Sequence, residues 1–245
     1  MGHLGLDFPT RWGRGLLARA ARKAIQEGYV VPYMRRISTL EVRGLEHLDS
    51  PGPVILAANH TSNLDTPLLL SALPAPMRQR MVVAAAMDNF FMKRFTAFRT
   101  VLVFNAIPID RHKVNRRSSQ LALELIEQGW NLMIYPEGGR TPTGEMQAFK
   151  GGAAYLAERA DVPVVPVYIQ GAGELKGPHY AKAPQYNAGP SQRHHHVVVT
   201  FGPALRCAEG ETIRRFNARV EEAVISLGRI ATGDPTLQIN RAAEA

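Results

Sequence analysis

The feature that most constrains this chain is a series of short apolar runs, each continuous rather than alternating and each set off by turn residues. From residue 39 onward they fall at 39–42, 54–58, 81–85, 101–104, 107–109, 131–135, 164–169 and 196–201. A run of this length that is apolar at consecutive positions fits a strand covered on both faces. Segments of helical spacing lie between them, at 67–73, 92–99, 117–127, 151–159 and 212–227. Strands separated by helices predict an α/β domain with a mixed central sheet flanked by helices. In such a sheet the working residues gather in loops beyond the strand ends. The domain is expected over residues 39–228, and residues 229–245, with Gly233 and Pro235, read as a flexible tail. No internal repeat interrupts this pattern.

Residues 1–38 have a different character. Between Arg11 and Arg36 seven cations (Arg11, Arg14, Arg19, Arg22, Lys23, Arg35 and Arg36) stand against one acid, Glu27. Leu16, Leu17, Ala20, Ala21 and Ala24 recur among them at helical spacing, with Trp12, Tyr29 and Tyr33 nearby. Gly28 and Pro32 are expected to divide the segment into two pieces. This is the pattern of a basic amphipathic arm that touches a membrane surface. The alternative is an ordinary surface helix packed on the domain.

The whole chain carries a formal charge of +8, which calls for an anionic partner: nucleic acid, a phosphorylated substrate or an anionic membrane. Clustering of the cations with apolar residues in one arm, without a nucleic-acid signature, speaks against nucleic acid. No secretory signal is visible, and no apolar stretch approaches the roughly 20 residues of a spanning helix. The expectation is a peripheral or monotopic protein on the cytoplasmic face of a membrane, without a transmembrane helix. A single cysteine, Cys207, excludes an internal disulfide and a multi-cysteine zinc site, and points to a reducing compartment.

Three segments could carry chemistry, and each follows an apolar run. The first is His60-Thr61-Ser62-Asn63-Leu64-Asp65, directly after 54–58. Thr66 followed by Pro67 predicts a helix start, with Thr66 as N-cap and Pro67 at the first helical position. His60 and Asp65 then span a tight strand-to-helix turn that can fold the carboxylate onto the imidazole. Such a pair fixes the ring tautomer and makes the free nitrogen a general base. The spacing alone is common, and the bland reading is a turn histidine beside a capping aspartate. The second segment ends the 107–109 run with Asp110 and Arg111, whose guanidinium could clamp a phosphate or merely pair with Asp110. The third is Tyr135-Pro136-Glu137-Gly138-Gly139-Arg140: two glycines let backbone amides approach an anion, and Arg140 supplies charge. Glu137 could accept a substrate hydroxyl or hold Arg140. Lys150 is a further candidate phosphate contact. A fourth stretch, 162–167, has Pro163 and Pro166 and reads as an edge or bulged strand that shapes a wall.

Taken together and in this order, His60 to Asp65, the 107–111 run, Pro136-Glu137-Gly138-x-Arg140 and the 162–167 run resemble the signatures of the glycerolipid acyltransferase family, of the 1-acylglycerol-3-phosphate (lysophosphatidic acid) acyltransferase type. The resemblance spans residues 54–167. It implies that His60 deprotonates the acceptor hydroxyl while Asp65 orients and charge-supports it. It also implies that Arg111, Glu137, Gly138 and Arg140 bind the acceptor and its phosphate. The expected partners are a lysophospholipid acceptor, an anionic membrane surface, and an acyl-CoA or acyl carrier protein thioester as co-substrate. No metal and no other cofactor is implied. The sequence departs from the family pattern at Gly139, where threonine is usual, and at Tyr135, where phenylalanine is usual, which leaves a different head group open.

Three other signals carry less. Gly171-x-Gly173 lacks a third glycine, having Lys176 there, and Pro178 and Pro184 oppose the helix a dinucleotide turn needs. His194, His195 and His196 would alternate across a strand and make a poor metal cage. Ser62 lacks the glycine-framed turn of a serine hydrolase. A non-catalytic basic lipid- or nucleic-acid-binding protein remains the reading from another class.

Overall fold

The computed structural model describes residues 4–111, 116–140, 146–175 and 195–239. Lys176, Pro178, Pro184, His194 and the expected tail from residue 240 lie outside the described residues. The described elements run, in order, α1 (Leu16–Ile25), α2 (Val31–Ile37), β1 (Ser38–Arg43), β2 (Ile55–Ala58), α3 (Asp65–Ala72), α4 (Ala75–Gln79) and β3 (Met81–Ala86). They continue with α5 (Met87–Phe90), α6 (Arg94–Phe104), β4 (Ala106–Ile109), α7 (Arg116–Glu127), β5 (Asn131–Ile134), α8 (Gly152–Ala160), β6 (Val164–Gln170), β7 (His195–Phe201) and α9 (Ile213–Thr232).

The strands form one seven-stranded sheet in the order β1-β7-β6-β2-β5-β3-β4. All neighbours pair in parallel except β6 and β7, so the sheet is mixed, as the sequence predicts. Successive residues of β2 face opposite cores. Leu56 and Ala58 pack with α3 and α6, whereas Ile55 and Ala57 pack with α7, α8 and α9. With both faces dry, no position along β2 can be polar, which is why it reads as an unbroken apolar run.

The structure departs from expectation at several places. Residues 101–104 are the last turn of α6, not a strand. Asn105 closes that helix in the left-handed conformation at φ 52 and donates its side-chain amide to the Met81 carbonyl. The open carbonyls of this last turn are met by α1 and the π turn of residues 26–30 that continues it. Arg22 Nε donates to Leu102 O at 3.0 Å, and Gln26 Nε2 to Val103 O at 2.8 Å. A cation and an amide at a helix C-terminus satisfy both its unpaired acceptors and its dipole.

That docking also changes the meaning of the N-terminal segment. Arg22 and Gln26 are each 1% exposed, and Met34 lies in the core, so residues 16–37 pack on the domain. Gly28 and Pro32 do not divide it. Residues 26–30 form one π turn, in which the Val31 N–H reaches Gln26 O, and the helix passes through Pro32 with no demand for its missing donor. The apolar Leu16 and Leu17 face outward instead, 81% and 88% exposed.

β6 is an interior strand between β2 and β7, not an edge. Pro166 is tolerated because its side of the strand meets the end of β7, where its carbonyl accepts from Gly202 N at 2.9 Å. The last helix continues to Thr232, five residues beyond the expected end, and Arg229 Nε holds Leu237 O at 3.0 Å. No helix among the described residues is long and apolar enough to cross a membrane.

Candidate active site

The sheet order brings β2 beside β5 and β3 beside β4, so the loops that follow β2, β4 and β5 share the C-terminal edge of the sheet. At the end of β2, Asn59 bridges to β6, donating to Ile169 O at 3.0 Å and accepting from Ile169 N at 2.7 Å. The side chain thereby replaces a main-chain ladder pair and fixes where the chain leaves the sheet. His60 is the next residue.

The turn then folds back as the spacing predicts. His60 Nδ1 lies 2.8 Å from Asp65 Oδ2, and the same oxygen accepts from Thr61 N at 2.7 Å and Ser62 N at 2.8 Å. Asp65 is fully buried and is the first residue of α3, where a carboxylate also meets the positive end of the helix. The helix starts at Asp65, two residues before the expected first helical position at Pro67, and Thr66 is not its cap. The Thr66 hydroxyl instead pairs with the Tyr135 hydroxyl at 3.0 Å. Asp65 has displaced it, because its carboxylate satisfies the amides of the turn directly.

Tyr135 is a site residue that sequence reasoning saw only as a departure from a pattern. Its ring stacks on the His60 imidazole, with centroids 4.2 Å apart and planes 21° apart. Burial of the hydroxyl end, and then the nearby Asp65 carboxylate, push this phenol well above its ordinary value of 10. The signal available was its position at the end of β5, but the neighbouring of β5 and β2 is not written in the sequence.

Glu137 has a role that sequence reasoning did not name. It is 3% exposed. One oxygen accepts from His60 N at 2.6 Å and the other from Gln147 N at 2.8 Å. The carboxylate therefore ties the loop after β5 to the main chain of the histidine. Gly138 follows in the left-handed region at φ 72, and a Cβ there would meet Lys150 Nζ at 2.7 Å. Lys150 crosses this glycine to donate to Arg111 O at 2.7 Å, so it braces the second segment.

Arg111 pairs with Asp88, which sequence reasoning did not single out, at 2.6 Å and 3.1 Å, and reaches Gly138 O at 3.4 Å. Held on two sides, its guanidinium lines the same cleft as His60, Gly138, Gly139 and Arg140. The inner wall of that cleft is apolar, with Val83, Ala85, Phe90, Phe104 and Ala106. The arrangement can accept a proton at the free Nε2 of His60, between a cationic rim and an apolar recess. No group of three or more metal-ligating side chains occurs among the described residues. His195 and His196 point to separate carboxylates, Glu174 at 3.8 Å and Glu41 at 3.1 Å.

Comparison with known proteins bears on the family and the fold. A family model described as Acyltransferase matches residues 39–170, more than half of the chain. The 1-acyl-sn-glycerol-3-phosphate acyltransferase alpha of Homo sapiens is 31% identical over 136 residues, 53% of this chain and 45% of that protein. The 1-acyl-sn-glycerol-3-phosphate acyltransferase of Pseudomonas aeruginosa is 30% identical over 187 residues, covering 74% of this chain and 65% of the relative. The chain thus spans about half the length of the first of these relatives. Among solved structures, the 1-acyl-sn-glycerophosphate acyltransferase of Thermotoga maritima superposes with a TM-score of 0.58 at 20% identity, over 85% of this chain and 82% of that one. This likeness extends the shared fold beyond the matched segment. By its matched residues and its fold, the chain belongs to the acyltransferase family.

Proposed function

We propose that this protein transfers a fatty acyl group from an acyl thioester, acyl-CoA or acyl carrier protein, to the free hydroxyl of a lysophospholipid, and that its acceptor is 1-acylglycerol-3-phosphate, giving phosphatidic acid. The observation that carries this reading is the 2.8 Å contact between His60 Nδ1 and Asp65 Oδ2 at the head of an apolar cleft rimmed by Arg111 and Arg140.

In this reading the His60 Nδ1–H donates to Asp65, leaving Nε2 with a lone pair toward the cleft. Nε2 takes the proton of the acceptor hydroxyl as its oxygen attacks the thioester carbonyl. The tetrahedral intermediate collapses, the C–S bond breaks, and the thiol leaves with the proton His60 has held. The acyl chain extends from the reacting carbon, so it lies in the recess lined by Val83, Ala85 and Phe104. Arg111 and Arg140 hold the acceptor phosphate, with Gly138 offering backbone approach. Glu137 acts through the histidine's main chain and does not touch the acceptor.

The acceptor belongs to a membrane, and the exterior of α1 and α6 suits that source. Leu16 and Leu17 are joined there by Phe95 (70% exposed) and Phe98, which stacks on Trp12 at 4.8 Å. Arg11, Arg14, Arg19 and Arg99 lie on the same helices and turns. Apolar side chains among cations fit the interface of an anionic bilayer.

The test is release of free thiol from a long-chain acyl-CoA or acyl carrier protein. Release should require a lysophospholipid, proceed fastest with 1-acylglycerol-3-phosphate, and vanish in His60→Ala. A His60→Ala protein that retains most of the activity would remove the base assignment. Activity confined to another head group would relocate the acceptor and keep the chemistry.

A further inference from the structure

The sheet carries a second chamber on the face opposite His60. It is a cavity of about 490 Å³ between α7 and α8, walled by Ala122, Leu132, Ile134, Tyr155 and Leu156. These residues belong to the α7–α9 core, whereas Val83, Ala85 and Phe104 of the first cleft belong to the other core. The volume lies within the roughly 300–1,000 Å³ of small-molecule sites. Arg111 and Lys150 line it beside the Gly151-Gly152 start of α8, together with Asp110, Ser118 and Ser119, and the rest of its wall is largely apolar. Two cations against one carboxylate over an apolar interior suit an alkyl chain bearing an anionic head. The two chambers meet at the C-terminal edge of the sheet, where Ala84, Ile109, Arg111, Tyr135 and Gly138 line both.

We infer that this second chamber receives the acyl chain already present on the phosphate-bearing acceptor, so that two chains lie on opposite faces of one sheet during transfer. The inference rests on the acyltransferase reading above. Geometry assigns the chains. The transferred chain begins at the carbon that reacts beside His60, so it starts in the first cleft, which measures about 130 Å³. The acceptor's own chain begins several bonds from the reacting hydroxyl, on the other side of its phosphate-bearing glycerol. With the phosphate at Arg111, that chain is directed past Gly138 toward Ala122 and Leu156.

Photolabelling tests this without turnover. A 1-acylglycerol-3-phosphate with a diazirine near the end of its chain is irradiated with the whole protein, and adducts are located by mass spectrometry. A long-chain acyl thioester carrying the same group is the second probe. The acceptor probe should label α7 and α8, at or beside Ala122, Tyr155 and Leu156, and the donor probe should label Phe90 or Phe104. An acceptor probe that labels the Phe104 side, or neither helix, overturns the inference. A protein that labels as expected but transfers no acyl group would refute the activity instead. As a second measurement, Ala122→Phe fills the chamber. It should lower the ratio of kcat/KM for long-chain over short-chain acceptors by about tenfold. The donor chain-length preference should not follow it, and an unchanged acceptor ratio in the folded variant counts against the inference.

Discussion

Replacing Asp65 by asparagine separates what the carboxylate does by charge from what it does by shape. Asp65 Oδ2 accepts from three groups, His60 Nδ1 and the amides of Thr61 and Ser62. Only an oxygen can occupy that point, so the asparagine amide must place its carbonyl there and its NH2 at the site of Oδ1. That site is buried and has no partner among the described residues. The orphaned donor costs about 1–3 kcal/mol, and at about 2–4 °C per kcal/mol the melting temperature falls by several degrees. The histidine tautomer survives, because the carbonyl still accepts from Nδ1–H. What is lost is a negative charge beside the imidazolium that forms in the transition state. Opposite charges about 4 Å apart at an effective dielectric of about 20 attract by about 4 kcal/mol, or about a thousandfold in rate. Initial rates of thiol release across a range of lysophosphatidic acid concentrations should therefore show kcat down about a thousandfold and KM within about twofold. A folded Asp65→Asn protein with kcat within tenfold of the parent, or one whose loss lies in KM, would refute the reasoning.

Glu137→Gln sets an NH2 group against either His60 N or Gln147 N, since both carboxylate oxygens accept from amides. It should lose about 1–3 kcal/mol in a denaturant titration and about tenfold in kcat, with the acceptor KM little changed. Tyr135→Phe tests the raised phenol. The folded chain keeps a proton that the unfolded chain loses, so stability is full below about pH 10 and declines as pH rises further. Melting temperatures between about pH 9.5 and 11 should fall more steeply in the parent than in the variant. Equal slopes would contradict this assignment. Gly139 is not in the left-handed region, and a Cβ there would find Arg111 Nη1 at an ordinary 3.5 Å. Gly139→Thr should melt within about 2 °C of the parent and lower the acceptor KM through its added hydroxyl. Gly138→Ala, forced against Lys150 at positive φ, should unfold well below both.

Legibility in the sequence followed the distance over which each feature is decided. The runs at 54–58, 81–85, 107–109 and 164–169 were readable because strands dry on both faces admit few polar residues. The run at 101–104 has the same composition and became helix. There the decision came from Asn105 closing the helix against Met81, and from Arg22 and Gln26 supplying donors from another segment. His60 and Asp65 were legible as a pair because five positions of one turn bring them together. The partners of Glu137 and Arg111 were not, since they come from 77 and 23 positions away and depend on strand order. Tyr135 belongs with these: its position was noted and its contact with His60 was not.

Strand order also explains why the three segments act as one device. The His60 imidazole is held by Asp65 at Nδ1, covered on one face by Tyr135 and fixed at its backbone by Glu137. Asp65 alone would leave the turn free to rock on the end of β2, but two of these constraints come from the residues that follow β5. The pairing Ile55↔Leu132, Leu56↔Met133, Ala57↔Ile134 sets their height on the histidine. Side chains alternate along a strand, so a slip of one residue between β2 and β5 would turn the 55–58 side chains from one core to the other and carry His60 away from Tyr135. Such a slip is opposed by the opposite packing of Leu56 and Ile55 on two separate cores, and by Asn59 clamping β2 to β6 on its other side. The apolar pattern that makes the sheet is therefore also what aims the imidazole, and the precision of the base is a property of the core beneath it.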